Sequence, residues 1–374
     1  MLSFSRGTGA ILSALFLLAQ ACVFAGQASP VEKSAPVQEA GSANQNSQPA
    51  RTKRDTTKGS VEENFSVLSV EQNRLKFDTE ILGEKDDKPG TPFIRERWHL
   101  MWRPADPIDV YVVKPRGVEK PPVILYLYSF PQDTDRFKED YWCGQTTGGG
   151  YAAVGFVSAL TGQRLEYRSL KENFFNQLPE SIGATVHDVQ MILNYLTTRG
   201  DLDMSRVGMF GQGSGGAIAI LASAVDPRIK ALDVLTPWGD WPVFLAKSTF
   251  VLKEERPLLV KPEFLSSVAG LDPVQWFSKV QAHSVRIQNV RKDGHMPDEA
   301  QEVMEASAPS TAEIDQYGDG QALYPMAANG RLLDWMKTQL GPDGKPQLAL
   351  EKSLRTHFYP PKGEENPLGE PHEK

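Results

Sequence analysis

From residue 93 onward the apolar positions fall into two alternating patterns. Residues 93–102 and 108–113 read as an opening pair of strands, and residues 123–127 form an unbroken apolar run with β-branched members, as a strand buried on both faces requires. Residues 151–160 supply another. Val186, Val189, Ile192, Leu193 and Leu196 then recur at helical spacing and predict an amphipathic helix ending near Gly200. Further strands are predicted over 206–210, 229–235 and 285–290, and helices over 216–225 and 331–340. Strand and helix in alternation imply an α/β fold with a mostly parallel sheet and helices on both faces.

The pattern fails at both ends. Residues 1–26 combine a lone Arg6, an apolar run from Ala10 to Leu18 and then small residues, which reads as a secretory leader too short to span a bilayer. Cleavage after Ala21, Ala25 or Ala28 fits the small-x-small rule. Cys22, directly after Ala21, leaves a lipid-anchored start open, but plain export to a periplasm or the exterior is favoured. Residues 27–65 are rich in Ser, Ala, Gln, Pro and Lys without apolar periodicity and read as a disordered linker. Residues 344–374 turn polar and Pro-rich again and read as a tail. One domain, 66–343, lies between.

Composition narrows the partners. At 40% apolar and 23% charged, the 374 residues bury a large core. A formal charge of −7 provides no basic field for nucleic acid. The two cysteines are Cys22 and Cys143, so no disulfide framework holds the fold, and Cys143 reads as a small packed side chain. No Cys/His set has zinc spacing, Asp315 and Asp319-Gly320 read as turn residues rather than a calcium loop, and neither metal nor other cofactor is expected.

The chemistry concentrates in Val-Gly-Met-Phe-Gly-Gln-Gly-Ser-Gly-Gly, residues 207–216, a strand running through a glycine-rich turn into a helix. Gly211, Gly213 and Gly216 satisfy the G-x-G-x-x-G pattern of dinucleotide sites. Against that reading, the strand after the turn ends Leu235-Thr236-Pro237, without the acidic residue that holds a ribose. Several strands also precede the motif.

The same residues carry a resemblance. Arg206 to Gly211, then Gln212 and Gly215-Gly216, resemble the nucleophile elbow of the α/β-hydrolase superfamily, in its dienelactone-hydrolase and prolyl-oligopeptidase-like branch. The resemblance runs from about Arg95 to Leu340. Tyr128-Ser129-Phe130-Pro131 stands where such enzymes often carry His-Gly-Phe-Pro, Asp226-Pro227-Arg228 leads into the next strand, and Ala327 to Trp335 is similar to the fold's final helix. The resemblance implies a Ser-His-Asp hydrolase, with the acid after the strand that follows a lid and the histidine after the last strand.

The elbow departs from that pattern at its centre. In G-x-S-x-G the reactive residue is flanked by small residues two positions away on either side. Gly211 and Gly215 bracket Gly213, so glycine occupies the nucleophile position and Ser214 the next one, whose backbone N–H lines the oxyanion hole. Glycine there relaxes backbone strain of about 1–3 kcal/mol. Asp293, four residues before Pro297, fills the acid's place. No histidine occurs in residues 313–321, after the last strand. His295, two residues past Asp293, is the candidate displaced base for Ser214. Of the six histidines, His187 reads as a helix-surface or capping residue and His99 as a strand residue.

Trp238-Gly239-Asp240-Trp241 follows the strand 229–235 at the sheet edge where ligands bind. The two tryptophans read as packing for a short lid over 242–276, or as a stacking floor for a ligand, and Asp240 as a spare acid. The pocket is therefore drawn from Tyr128, Ser129, Gly213, Ser214, Trp238, Asp240 and Trp241. Three functions stay open. The first is an exported relative of the hydrolases with an impaired or lost triad and a retained pocket for a small molecule or peptide. The second is a serine hydrolase using Ser214, Asp293 and His295 on ester or peptide-like bonds, and the third is a dinucleotide-binding protein.

Overall fold

The computed structural model describes residues 63–70, 79–103, 106–130, 134–160, 164, 174–292, 294–328 and 331–341. The predicted leader at 1–26, the linker up to residue 62 and the tail from 344 lie outside them. Contacts divide the chain between Asn64 and Phe65, and the unit from Phe65 onward holds all the elements given below.

Nine strands are described: β1 (Thr79–Asp86), β2 (Phe93–Met101), β3 (Ile108–Pro115), β4 (Pro122–Leu127), β5 (Ala152–Phe156), β6 (Asp203–Gln212), β7 (Ile229–Leu235), β8 (Ser284–Val290) and β9 (Glu313–Tyr317). They form one sheet in the order β1-β2-β3-β5-β4-β6-β7-β8-β9. The first three run antiparallel, β3 pairs antiparallel with β5, and every later pair is parallel. Parallel neighbours need crossovers, and the helices supply them: α1 (Asp140–Thr147), α2 (Leu178–Arg199), α3 (Ser214–Val225), α4 (Trp241–Lys247), α5 (Arg256–Leu259), α6 (Pro262–Ala269), α7 (Asp298–Ser307), α8 (Gly320–Ala328) and α9 (Asp334–Gln339).

The period-two alternation of each strand divides its side chains between two cores. Val123, Leu125 and Leu127 of β4 join Val110, Val112, Val207 and Met209 under α2, α3 and the α4–α6 cap. Ile124 and Tyr126 join Tyr111, Val113 and Phe210 under α1 and α9. Both faces of the central strands are buried, which is why those strands read as unbroken apolar runs.

The predicted strand over 151–160 closes early, at Phe156, and the helix predicted around 186–196 is longer, Leu178–Arg199, ending at Gly200 with φ 70°. Its first half buries Ser181, Gly183 and Thr185, small residues that hide the apolar stripe. Helix α1 has no stripe at all. It buries Trp142, Cys143, Thr146 and Thr147, and the two threonine hydroxyls donate back to the Trp142 and Cys143 carbonyls. The expected helix at 331–340 opens as a tight turn, Arg331–Leu333, before α9.

His187 is buried, not on the helix surface as expected. Its Nε2–H donates to the Val67 carbonyl (2.5 Å), its ring stacks with Phe65 at 6.3 Å, and Val70 N–H donates to Gln190 Oε1 (3.1 Å). Residues 65–70 thus lie as a strap along α2. The strap crosses the helix at Gly183, where a Cβ would come within 2.1 Å of the Phe65 carbonyl. Beside it, Asp188 accepts from Trp102 Nε1, Arg103 and Arg164, and Asp106 accepts from both arginines. Four buried or nearly buried charges of both signs therefore tie β3's entrance, Arg164 and α2 together.

Candidate functional site

The parallel strands β4, β6, β7 and β8 end on one edge of the sheet, so the segments that follow them share that edge. The sharpest bend follows β6. One residue, Gly213, separates β6 from α3, with φ 55° and ψ −117°. A residue carrying a Cβ is strained there. Three backbone hydrogen bonds fix the bend: Gly213 N–H donates to Leu235 O (3.0 Å), and Gly213 O accepts from Trp238 N–H (3.0 Å) and Ala217 N–H (3.1 Å).

The surrounding glycines are demanded by sterics. A Cβ on Gly215 would stand 1.9 Å from the Leu127 carbonyl oxygen, one on Gly211 2.5 Å from the Gly215 carbonyl, and one on Gly216 2.8 Å from Pro237 Cβ. The first turn of α3 presses so closely on the ends of β4 and β7 that no side chain fits between. The bend itself thus explains the G-x-G-x-x-G spacing, and no phosphate need be invoked. Asp233, the acidic residue inside the next strand, is fully buried in a two-pronged pair with Arg286 (2.7 and 3.0 Å) and accepts from Gln288 Nε2 as well.

At the tip, the space beside Gly213 is filled. A Cβ on Gly213 would lie 2.5 Å from Ser129 Oγ, 2.9 Å from Ser129 Cβ and 3.3 Å from Trp238 Nε1. Among the described residues, Ser129 Oγ is buried without a hydrogen-bond partner. Ser214, one step on, is also buried, and its Oγ accepts the Phe130 backbone N–H over 2.9 Å. Its hydroxyl is therefore turned to the loop after β4, where it ties that loop to the start of α3.

Trp238 is 1% exposed and packs on Phe244 (4.9 Å), Phe250 (5.4 Å) and Phe175 (6.3 Å). Trp241, also 1% exposed, meets Phe244 edge-on. Both tryptophans are packed into the cap. The His295 ring lies 4.4 Å from the Phe250 ring, and its loop is fastened to the cap where Ser248 Oγ donates to the His295 carbonyl and Thr249 N–H to the Gly294 carbonyl. The described contacts thus run from His295 to Phe250 to Trp238 to the tip. Asp293 lies outside the described residues.

Asp240 is half-buried, in the left-handed region at φ 52°, and its backbone N–H donates to Asp272. Asp272 also accepts the Trp241 and Val274 N–H groups. Burial, with neighbouring Asp272 adding to it, pushes the Asp240 carboxyl above the usual range. Tyr128 accepts a hydrogen bond from Trp142 Nε1 (2.9 Å) and packs against Phe210, and burial pushes its hydroxyl up to about 12. It belongs to the aromatic pile over α1. After β9, Asp319 accepts the Ala322 N–H (3.0 Å) and caps α8. Asp315 pairs with Arg286 at 3.5 Å. No group of three or more His, Cys, Asp or Glu able to hold a metal occurs among the described residues.

Sequence reasoning missed the Phe130 backbone N–H and the Phe250 ring. The first was legible as the residue after Ser129 in the loop that follows β4. The second carried no signal, because cap residues show no period.

No model of a known protein family matches the chain, and no curated protein matches it by sequence. Solved structures do match. The chain is similar to an acetyl xylan esterase from Paenibacillus sp. R4, at 16% identity and a TM-score of 0.53, over 68% of this chain and 84% of that one. It is similar to acetyl xylan esterase 1 from Thermoanaerobacterium sp. JW/SL YS485, at 15% identity and a TM-score of 0.51, over 68% and 87%. A cold-adapted esterase from an Arctic intertidal metagenomic library gives 14% identity and a TM-score of 0.52, over 69% and 98%. The chain has the α/β-hydrolase fold. Gly213 stands at the tip of the bend between β6 and α3. Among the described residues no helix is long and apolar enough to cross a membrane.

Proposed function

We propose that this chain is an exported α/β-hydrolase-fold protein that has given up hydrolysis and uses the elbow edge to bind a small-molecule or peptide ligand. One observation carries the reading: the elbow keeps its backbone shape around a glycine, and Ser129 fills the volume a nucleophile's side chain would need. Three others support it. Ser214 Oγ accepts the Phe130 N–H, residues 313–321 hold no histidine after the last strand, and the His295 ring packs tilted against Phe250. A hydroxyl without an adjacent base is a poor nucleophile.

Purified protein treated with a fluorophosphonate probe and digested for mass spectrometry should carry no adduct. Short-chain aryl esters should be cleaved no faster than in buffer. An adduct on Ser214, with ester turnover lost in Ser214→Ala, would establish the serine-hydrolase reading in its place.

A further inference from the structure

The sheet has an open side. Strand β9 ends the strand order and pairs with β8 alone, and the outer edge of such a strand presents backbone N–H and C=O groups to whatever lies beside it. In the middle of β9 stands Ile314, 46% exposed, the one strand residue among the exposed large hydrophobic side chains of the described residues. Gln316, two positions on and on the same strand face, donates from Nε2 to Glu305 Oε2 (2.9 Å) and fastens β9 to α7. The edge is thus anchored to the fold while its isoleucine faces water.

Charge selects what pairs with this edge. The chain's 47 acidic residues exceed its 40 basic ones by seven, and residues 298–319, which run from α7 through β9, hold seven acids and no Lys or Arg. Elsewhere the two signs cancel. Lys247, Arg291 and Arg286 pair with Glu299, Glu305 and Asp315, and the exposed Asp298, Glu302 and Asp319 keep this side negative. A second copy is a poor occupant. An antiparallel pair of β9 strands centred on Ile314 sets Glu313 opposite Asp315, one centred on Asp315 sets that carboxylate against itself, and one centred on Gln316 sets Glu313 opposite Asp319. Like charges directly opposite destabilise a ladder. A basic strand meets the opposite sign in every one of these registers.

We infer that the outer edge of β9 is a docking site for an extended basic segment of a partner protein, which joins the sheet as a further strand antiparallel to β9. Its residues opposite Glu313 and Asp315 are Lys or Arg, and its residue opposite Ile314, on the other face, is apolar. The elbow takes no part in it.

The test titrates the full chain into a fluorescein-labelled peptide, Lys-Thr-Lys-Val-Lys-Thr, read by fluorescence anisotropy. Two control peptides carry Glu in place of each Lys, or a methyl group on every backbone nitrogen to block pairing. The lysine peptide should bind saturably, and each control should bind at least about 10-fold more weakly. Deuterium uptake over residues 313–317 should slow when the lysine peptide is bound. Ile314→Lys loses the apolar pair and adds a like charge, so it should weaken binding about 3- to 10-fold, with the melting temperature unchanged because the side chain faces water. Should that variant not fold, the deuterium uptake of the wild type decides. No saturable binding up to about 1 mM peptide, equal binding of the methylated peptide, unchanged affinity in Ile314→Lys or unchanged uptake over 313–317 would each overturn the docking site. So would a dimer of the chain alone in sedimentation velocity that Ile314→Lys dissolves, since a second copy would then own the edge.

Discussion

Gly213 holds a conformation that a side chain tolerates only with strain, in a volume that Ser129 already occupies. Placing a hydroxyl there with Gly213→Ser therefore brings strain of about 1–3 kcal/mol together with an overpacking cost of similar size. The variant should lose about 2–6 kcal/mol in urea denaturation and gain no esterase activity. Ser129→Gly in the same chain should recover part of that loss, with a coupling of at least about 0.5 kcal/mol, because the two side chains compete for one space. Ser214→Ala takes away the partner of the Phe130 N–H and should cost about 1–3 kcal/mol, measured the same way. On the non-hydrolytic reading it leaves background ester cleavage unchanged.

Elements show where packing overrode pattern. Helix α2 buries a glycine because a strap of backbone passes over it, with the Phe65 carbonyl where a Cβ on Gly183 would be. Gly183→Ala should lift residues 65–70 off the helix, and limited proteolysis should then cut within them at protease levels that leave the wild type whole. The parallel strands were legible in the sequence because both their faces are buried and unbroken apolar runs follow directly. Helix α1 was not, because it satisfies its threonines locally and buries only a few residues on one side. The glycine tip was legible from its spacing alone. The filling of that tip was not, since Ser129 and Trp238 are 84 and 25 residues distant from Gly213 and meet only through the order of strands in the sheet.

For the whole molecule, the cluster of Arg103, Asp106, Arg164 and Asp188 joins the antiparallel and parallel halves of the fold across β3 and α2. Burial alone would raise the Asp106 carboxyl, but hydrogen bonds and charge from Arg164 and Arg103 outweigh it and hold it at about 2. A folded value below the unfolded one, about 3.9, means the stabilisation is complete above pH 4 and lost as pH falls toward 2. Thermal melts across that window should show the midpoint falling with pH. Asp106→Asn should be less stable at neutral pH and show a shallower fall, since the neutral amide has no proton to take up there.

The crowding at the elbow also sets an order on mutational history. On the non-hydrolytic reading, a chain of this kind would place a hydroxyl at the tip through one codon change, yet that change is penalised until residue 129 shrinks, and shrinking residue 129 yields no chemistry by itself. Reversion therefore has to cross an unrewarded intermediate in either direction. On that reading, a neighbour seated in the space a nucleophile would need works as a ratchet, making such an activity much harder to recover than to lose.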